Sequence, residues 1–85
     1  SSDLAATAAE LQRFHDTLFA AYAEEIGGNA VFRMKEWWFY AKYAFADPAT
    51  VHKLVRKTKK VDEYRAAVER VFREQPLAPI AHFYG

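Results

Sequence analysis

Five cations crowd into eight residues near the middle of the chain, in the segment Lys53-Leu-Val-Arg-Lys-Thr-Lys-Lys60. Side chains of this type bind phosphate groups. Cations at the end of a helix also suit the helix dipole, so a solvated helix end is the alternative interpretation. Like charges at this density repel one another unless an anion neutralises them, and the segment therefore favours a polyanionic partner.

Residues 33–45 combine cations with two tryptophans, two phenylalanines and two tyrosines. Lys35 and Lys42 are seven residues apart and lie on nearly the same side of a helix. We expect most of the aromatic rings in the core, while any ring left exposed beside the lysines would stack on an unpaired base. The candidate RNA-binding residues of the chain are Arg33, Lys35, Lys42, Lys53, Arg56, Lys57, Lys59 and Lys60.

Other kinds of site find little support in the sequence. His15, His52 and His82 are far apart, and none has a second ligand at helical spacing, so we predict that they are exposed or half-buried and bind no metal. There is no cysteine, and serine occurs only at the first two positions. We therefore predict no catalytic residue and no metal ligand in this chain.

Charge is distributed unevenly along the 85 residues, although the net charge is only +1. Residues 1–30 carry one basic and five acidic side chains, residues 31–60 carry eight basic and two acidic ones, and residues 61–85 carry three and four. No apolar run is long enough to span a bilayer and no signal peptide opens the chain. We expect a cytoplasmic protein with a polyanion partner and no membrane association.

Apolar residues recur at helical spacing through most of the chain. The predicted helices cover residues 4–26, 30–45, 48–58 and 62–74. Their expected inward side chains are Leu4, Leu11, Phe14, Leu18, Tyr22 and Ile26 in the first helix; Val31, Met34, Trp38, Ala41 and Phe45 in the second; Val51, Leu54 and Val55 in the third; and Val61, Tyr64, Val68, Val71 and Phe72 in the fourth. Further aromatics make the second helix apolar on almost every side, which predicts a central position for it.

Local signals mark the ends of these helices. Gly27-Gly28-Asn29 ends the first, and Asp47 followed by Pro48 caps the third. Pro76 and Pro79 prevent further helix. The predicted fold class is all-α, a small four-helix bundle over residues 1–75, followed by an extended Pro- and aromatic-containing tail over residues 76–85.

Three of these segments together resemble a known family. In order and spacing they are similar to the C-terminal helical domain of bacterial tRNA-dihydrouridine synthases. The similar residues are Met34-Lys-Glu-Trp-Trp-Phe-Tyr40 with Phe45, then Lys53-Leu-Val-Arg-Lys-Thr-Lys59, then Asp62-Glu-Tyr64 and Val71-Phe72. The resemblance covers about residues 11–72. One departure is Glu36, which stands where histidine is common in the family.

The resemblance implies tRNA as the partner of the candidate cations. It also implies a parent enzyme that reduces uridine in tRNA with FMN and NADPH, using a catalytic TIM barrel that this chain does not contain and against which it would dock. An alternative hypothesis is a protein–protein docking or self-association module without nucleic-acid binding. Such a module would use aromatic residues including Trp37, Phe83 and Tyr84.

Overall fold

Helices joined by short connections make up nearly all of residues 2–78, the part of the chain that the computed structural model describes, with side chains described from residue 7 onward. Helix α1 spans Ser2–Ile26, α2 Ala30–Ala41, α3 Pro48–Arg56 and α4 Val61–Glu74. Turns of 3-10 helix at Gly27–Asn29 and Lys42–Ala44 follow α1 and α2.

The predicted all-α class is confirmed. The described residues contain no strand beyond a single antiparallel bridge between Phe45 and Leu77. A regular four-helix bundle is only an approximate description, because α3 has nine residues and acts as a short connection between longer helices. None of the helices within residues 2–78 is long and apolar enough to cross a bilayer.

The predicted signals at helix ends are confirmed at two places. Gly27 has a φ of +62°, a left-handed conformation that glycine adopts readily and that ends α1. At the start of α3, the Asp47 carboxylate accepts hydrogen bonds from the Thr50 backbone N–H (3.2 Å) and the Thr50 hydroxyl (2.6 Å), and Pro48 follows it. The second predicted helix is too long, since α2 ends at Ala41 and the chain is extended at Phe45.

The core lies between the inward faces of all four helices. The predicted inward faces of α3 and α4 are confirmed, with Val51, Val55, Tyr64, Val68 and Val71 buried. The remaining predicted inward residues of these two helices, Leu54, Val61 and Phe72, are partly buried against them.

The prediction for α1 is wrong at Phe14, which is exposed and stacks on Trp37 with ring centroids 6.1 Å apart. Among the described side chains of this helix, from residue 7 onward, His15 and Phe19 are buried. Phe14 keeps the helical spacing of the apolar stripe, but it lies at the margin of the interface with α2.

Helix α2 is buried along one side only, so the prediction of an almost fully covered central helix is wrong. The buried residues of α2 are Ala30, Val31, Met34 and Trp38. The exposed large apolar side chains of α2 and the turn after it are Phe32, Phe39, Tyr40 and Tyr43. The helix packs on α1 and α3, and these neighbours leave the rest of its circumference open to solvent.

The first residues of the predicted tail are extended and attached to the core. The Ala46 N–H donates to the Pro76 carbonyl (2.9 Å), and the Ala78 N–H donates to the Ala44 carbonyl (2.8 Å). Ala78 is buried. These contacts explain why α2 gives way to extended chain at Phe45. Residues 79–85, including Phe83 and Tyr84, lie outside the described part of the chain.

Candidate nucleic-acid interface

The connection between α3 and α4 presents three of the candidate lysines. We call Lys57, Lys59 and Lys60 the basic loop; all three side chains are exposed. Thr58 is buried between them, and its hydroxyl donates to the Val55 carbonyl (2.7 Å). The loop is therefore anchored at its centre while its ammonium groups extend into solvent.

Glu63 fixes the far end of the basic loop. Its carboxylate accepts hydrogen bonds from the backbone N–H groups of Lys59 (3.0 Å) and Lys60 (3.2 Å), and these bonds lower the pKa of Glu63. The carboxylate is occupied by backbone donors at the start of α4 rather than by lysine side chains. The positive charges of Lys60 and Lys59 also contribute to lowering the pKa of Glu63, but neither ammonium group forms an ion pair with it.

Lys35, a candidate RNA-binding residue, contacts the end of α3. Its ammonium donates to the carbonyl oxygens of Arg56 (3.2 Å) and Thr58, at the C-terminal end of α3. A cation at this position satisfies free carbonyls and suits the helix dipole. The same ammonium lies 5.3 Å from the centre of the Phe32 ring. Lys35 therefore joins α2 to α3, and two of the three N–H donors of its ammonium group are used within the fold.

A second group of candidate residues meets where the end of α2 faces α3. We call Phe39, Lys42, His52 and Arg56 the α2–α3 face. The Phe39 and His52 rings are 5.5 Å apart, and the Lys42 ammonium lies 4.9 Å from the centre of the Phe39 ring. Arg56 is one helical turn beyond His52 on α3. Partial burial and then the positive charges of Lys42 and Arg56 lower the pKa of His52.

The other two candidate cations lie beside or away from this face. Lys53 is three residues before Arg56 and four before Lys57, so it connects the α2–α3 face with the basic loop. Arg33 is two residues before Lys35 and projects from the far side of α2. The structure thus groups the predicted cations of α3, the loop and the end of α2, and it separates Arg33 from them.

No candidate cation forms an ion pair with a carboxylate among the described residues. The pairs that the described residues do form between carboxylates and lysine or arginine lie on α4, where Arg70 meets Glu74 (3.0 Å) and Arg73 meets Glu69 (3.5 Å). The cations of α3 and the loop are therefore not held in ion pairs among the described residues, and their side chains are available to an external anion.

The hydrogen-bond network around His15 was not predicted from the sequence. This histidine, predicted to be exposed or half-buried, is only 2% exposed. Its Nε2 lies 2.7 Å from the Tyr64 hydroxyl and its Nδ1 lies 2.9 Å from the Asp16 carboxylate. The indole N–H of Trp38 donates to the same Tyr64 hydroxyl (2.8 Å). We call His15, Asp16, Trp38 and Tyr64 the His15 network.

Both ring nitrogens of His15 are occupied by these contacts. When the ring is neutral, Nδ1–H donates to Asp16, and Nε2 accepts the hydroxyl proton of Tyr64, whose oxygen accepts from Trp38. Burial lowers the pKa of His15 despite the opposing influence of Asp16, and burial raises the pKa of Tyr64. The arrangement satisfies buried polar groups and leaves neither ring nitrogen for a substrate.

A cleft of about 460 Å³ opens beside this network between α1 and α4. Its lining includes His15, Asp16, Arg65 and Glu69. Two carboxylates against one guanidinium make it an unsuitable site for a phosphate group. Within the part of the chain that is described, no cluster of three or more His, Asp or Glu residues has a geometry that would hold a metal ion.

Comparison with known proteins does not identify a relative. No family profile, curated protein or solved structure matches the chain. The functional argument therefore depends on the geometry of the α2–α3 face and the basic loop.

Proposed function

We propose that this chain is an RNA-binding helical domain whose ligand is tRNA. Phosphate groups would contact the basic loop and the cations of α3, and an exposed aromatic ring of α2 beside these cations would contact an unpaired base. In this proposal the chain is the C-terminal domain of a tRNA-dihydrouridine synthase, docked on the catalytic barrel of that enzyme.

One observation carries the proposal: the cations of α3 and the basic loop form no ion pair with a carboxylate among the described residues, and the exposed ring of Phe39 on α2 contacts His52 of α3. Phe39 is 57% exposed beside Lys42 and His52, whereas the rings of Trp38 and Tyr64 are buried. Unneutralised cations with adjacent aromatic faces suit nucleic acid with unpaired bases. A membrane surface is less suited, because the basic loop contains no large apolar side chain that would enter the bilayer.

The proposal assigns the flavin chemistry to the parent enzyme. FMN and NADPH would be bound by its barrel, which supplies the reduction of uridine. The described residues do not fit a flavin phosphate at the cleft beside His15, because Asp16 and Glu69 line it. This chain would contribute binding and orientation of the tRNA.

The test is a titration of the purified chain with folded tRNA at several salt concentrations, with duplex DNA of equal length as the competitor. If five cations contact phosphates, the logarithm of the affinity should fall with the logarithm of the salt concentration at a slope of about −3.5 to −4.5. Reversing Lys57 and Lys60 together to glutamate should reduce the steepness of this slope by roughly 1.4–1.8.

Arg13→Glu is the matched control for the single reversal Lys57→Glu, because Arg13 is an exposed cation on the acidic helix α1 and both variants change the net charge equally. It should leave tRNA affinity nearly unchanged. Equal losses of tRNA affinity in Arg13→Glu and Lys57→Glu would show that the effect comes from net charge alone. An absence of tRNA binding at low salt would overturn the proposal.

A second candidate function is docking on another protein surface or on a second copy of the chain. Phe14 is exposed and stacked on the half-buried Trp37, and Tyr40 of α2 is 82% exposed. Aromatic side chains of this exposure are typical of interaction surfaces. Sedimentation over a wide range of concentration tests this candidate, and a strict monomer at high concentration would contradict self-association.

A further inference from the structure

An exposed phenylalanine lies at the centre of a group of cations on the α2–α3 face. Phe39 leaves more than half of its surface in solvent, although it follows the buried Trp38 directly in α2. The Lys42 ammonium lies over its ring at 4.9 Å, and the His52 ring lies 5.5 Å away. More than half of the Phe39 surface is therefore accessible to solvent within reach of two nitrogen groups that bind anions.

The charges around His52 all have one sign. Lys42 reaches it from the 3-10 turn after α2, and Arg56 lies one turn along its own helix α3. Partial burial is the largest cause of the lowered pKa of His52, and the positive charges of Lys42 and Arg56 lower it further. No carboxylate of the described residues opposes them. An anion placed among the three side chains would remove this repulsion and favour the protonated imidazole.

Lys35 helps to hold this arrangement in place. Its ammonium donates to the Arg56 carbonyl at the end of α3, which fixes α3 against α2. The relative position of Phe39 and the α3 side chains is thus set by a contact between helices rather than by a flexible loop. A site on helices held in this way is organised before the ligand arrives.

We propose that Phe39, Lys42, His52 and Arg56 form a binding site for one unpaired nucleotide of RNA, with the base stacked on Phe39 and the phosphodiester held by the three cations. This inference rests on the proposed RNA-binding function and deepens it by naming the nucleotide contact. A paired base does not offer its face to Phe39, so the site selects loops, bulges and single strands. Because phosphate binding favours protonated His52, binding takes up a proton and strengthens as the pH falls from 8 to 6.

The first test uses Phe39→Leu with Tyr40→Leu as its matched control. Both are exposed aromatics on α2, but they point about 100° apart on the helix, and Tyr40 is the more exposed. The probes are fluorescein-labelled penta-uridylate RNA, folded tRNA and a fully paired RNA duplex. Phe39→Leu should weaken penta-uridylate binding roughly 5- to 100-fold, and Tyr40→Leu should change it by less than about twofold. Duplex binding should change little in either variant.

The second test measures penta-uridylate affinity between pH 6 and 8 for the unmodified chain and for His52→Gln. The unmodified chain should gain up to about tenfold in affinity per pH unit, and His52→Gln should remove most of this gain. Circular dichroism over the same pH range, with equal melting of all variants, ensures that the comparison is made on folded protein. The ring protons of His52, followed by NMR, should titrate at higher pH when penta-uridylate is bound.

The outcomes separate this inference from the proposed function. If tRNA binds and depends on the basic loop, yet Phe39→Leu and His52→Gln bind penta-uridylate as the unmodified chain does, the nucleotide site is wrong and tRNA binding stands. If penta-uridylate binds through Phe39 but folded tRNA does not bind, the nucleotide site stands and the tRNA function fails. Inorganic tripolyphosphate that displaces penta-uridylate at equal concentration, with no dependence on Phe39, would reduce the site to a simple anion site and overturn the inference.

Discussion

The His15 network and the α2–α3 face are both centred on a histidine, but the two histidines differ in burial and in the charges of their neighbours. Each contains a histidine beside aromatic rings, and the pKa of each histidine is lowered. His15 lies in the core with both nitrogens bonded to protein, whereas His52 lies at the surface among cations and has no hydrogen-bond partner among the described residues. The first arrangement stabilises the fold, and the second is free to bind an anion.

The largest expected effect of this difference is on stability. Trp38→Ala removes a ring that is 1% exposed and leaves a cavity next to Tyr64, so it should lower the free energy of unfolding by about 3–5 kcal/mol. Tyr40→Ala, two residues away and exposed, should change it by less than about 0.5 kcal/mol. Urea unfolding followed by circular dichroism checks both. Similar losses for the two variants would contradict the burial described for α2.

Tyr64→Phe is the next largest change. It removes the hydroxyl that bonds to both His15 and the Trp38 indole, and it leaves two buried polar groups without a partner. We expect a loss of about 2–3 kcal/mol in the free energy of unfolding. Tyr40→Phe, which removes an exposed hydroxyl, is the control and should be nearly neutral. A neutral Tyr64→Phe would show that the network contributes little.

The dependence of stability on pH distinguishes the two histidines. Burial lowers the pKa of His15 in the folded chain, so the unfolded chain binds the proton more tightly and protonation favours unfolding. Stability is therefore complete above the ordinary value of 6.5 and decreases as the pH falls below it. Thermal unfolding between pH 7.5 and 5.5 should show this decrease. This loss of stability at low pH should be much smaller in His15→Gln. It should be largely retained in His52→Gln, because His52 is more exposed.

The smallest expected effect concerns Lys35, which belongs to neither region by function but holds α2 against α3. Lys35→Met keeps the side-chain stem near Phe32 and removes the donor to the Arg56 and Thr58 carbonyls, so it should lower the free energy of unfolding by about 1 kcal/mol. Lys53→Met, at an exposed position on α3, should have almost no effect on stability. If Lys53→Met lowered the free energy of unfolding more than Lys35→Met did, a structural role for Lys35 would be contradicted.

Much of the fold was predictable because its signals are local. The cap at Asp47 and Pro48, the left-handed Gly27 and the inward faces of α3 and α4 depend on side chains within one or two helical turns. The prediction of which α2 aromatics are buried failed because it depends on the positions of α1 and α3. The candidate site also combines features that are local in sequence with features that depend on packing between helices. The concentration of cations in the basic loop is visible in the sequence, but the contact between Phe39 and His52 joins residues on different helices.

The all-α class, most helix ends and the concentration of positive charge between residues 31 and 60 follow from local features of the sequence. The burial of His15, the contact of Lys35 with the end of α3 and the exposure of Phe39 among cations depend on how the helices pack together. Helical periodicity shows which residues share one side of a helix. It does not show which side a neighbouring helix covers, because that choice is made by packing between segments that are distant in sequence.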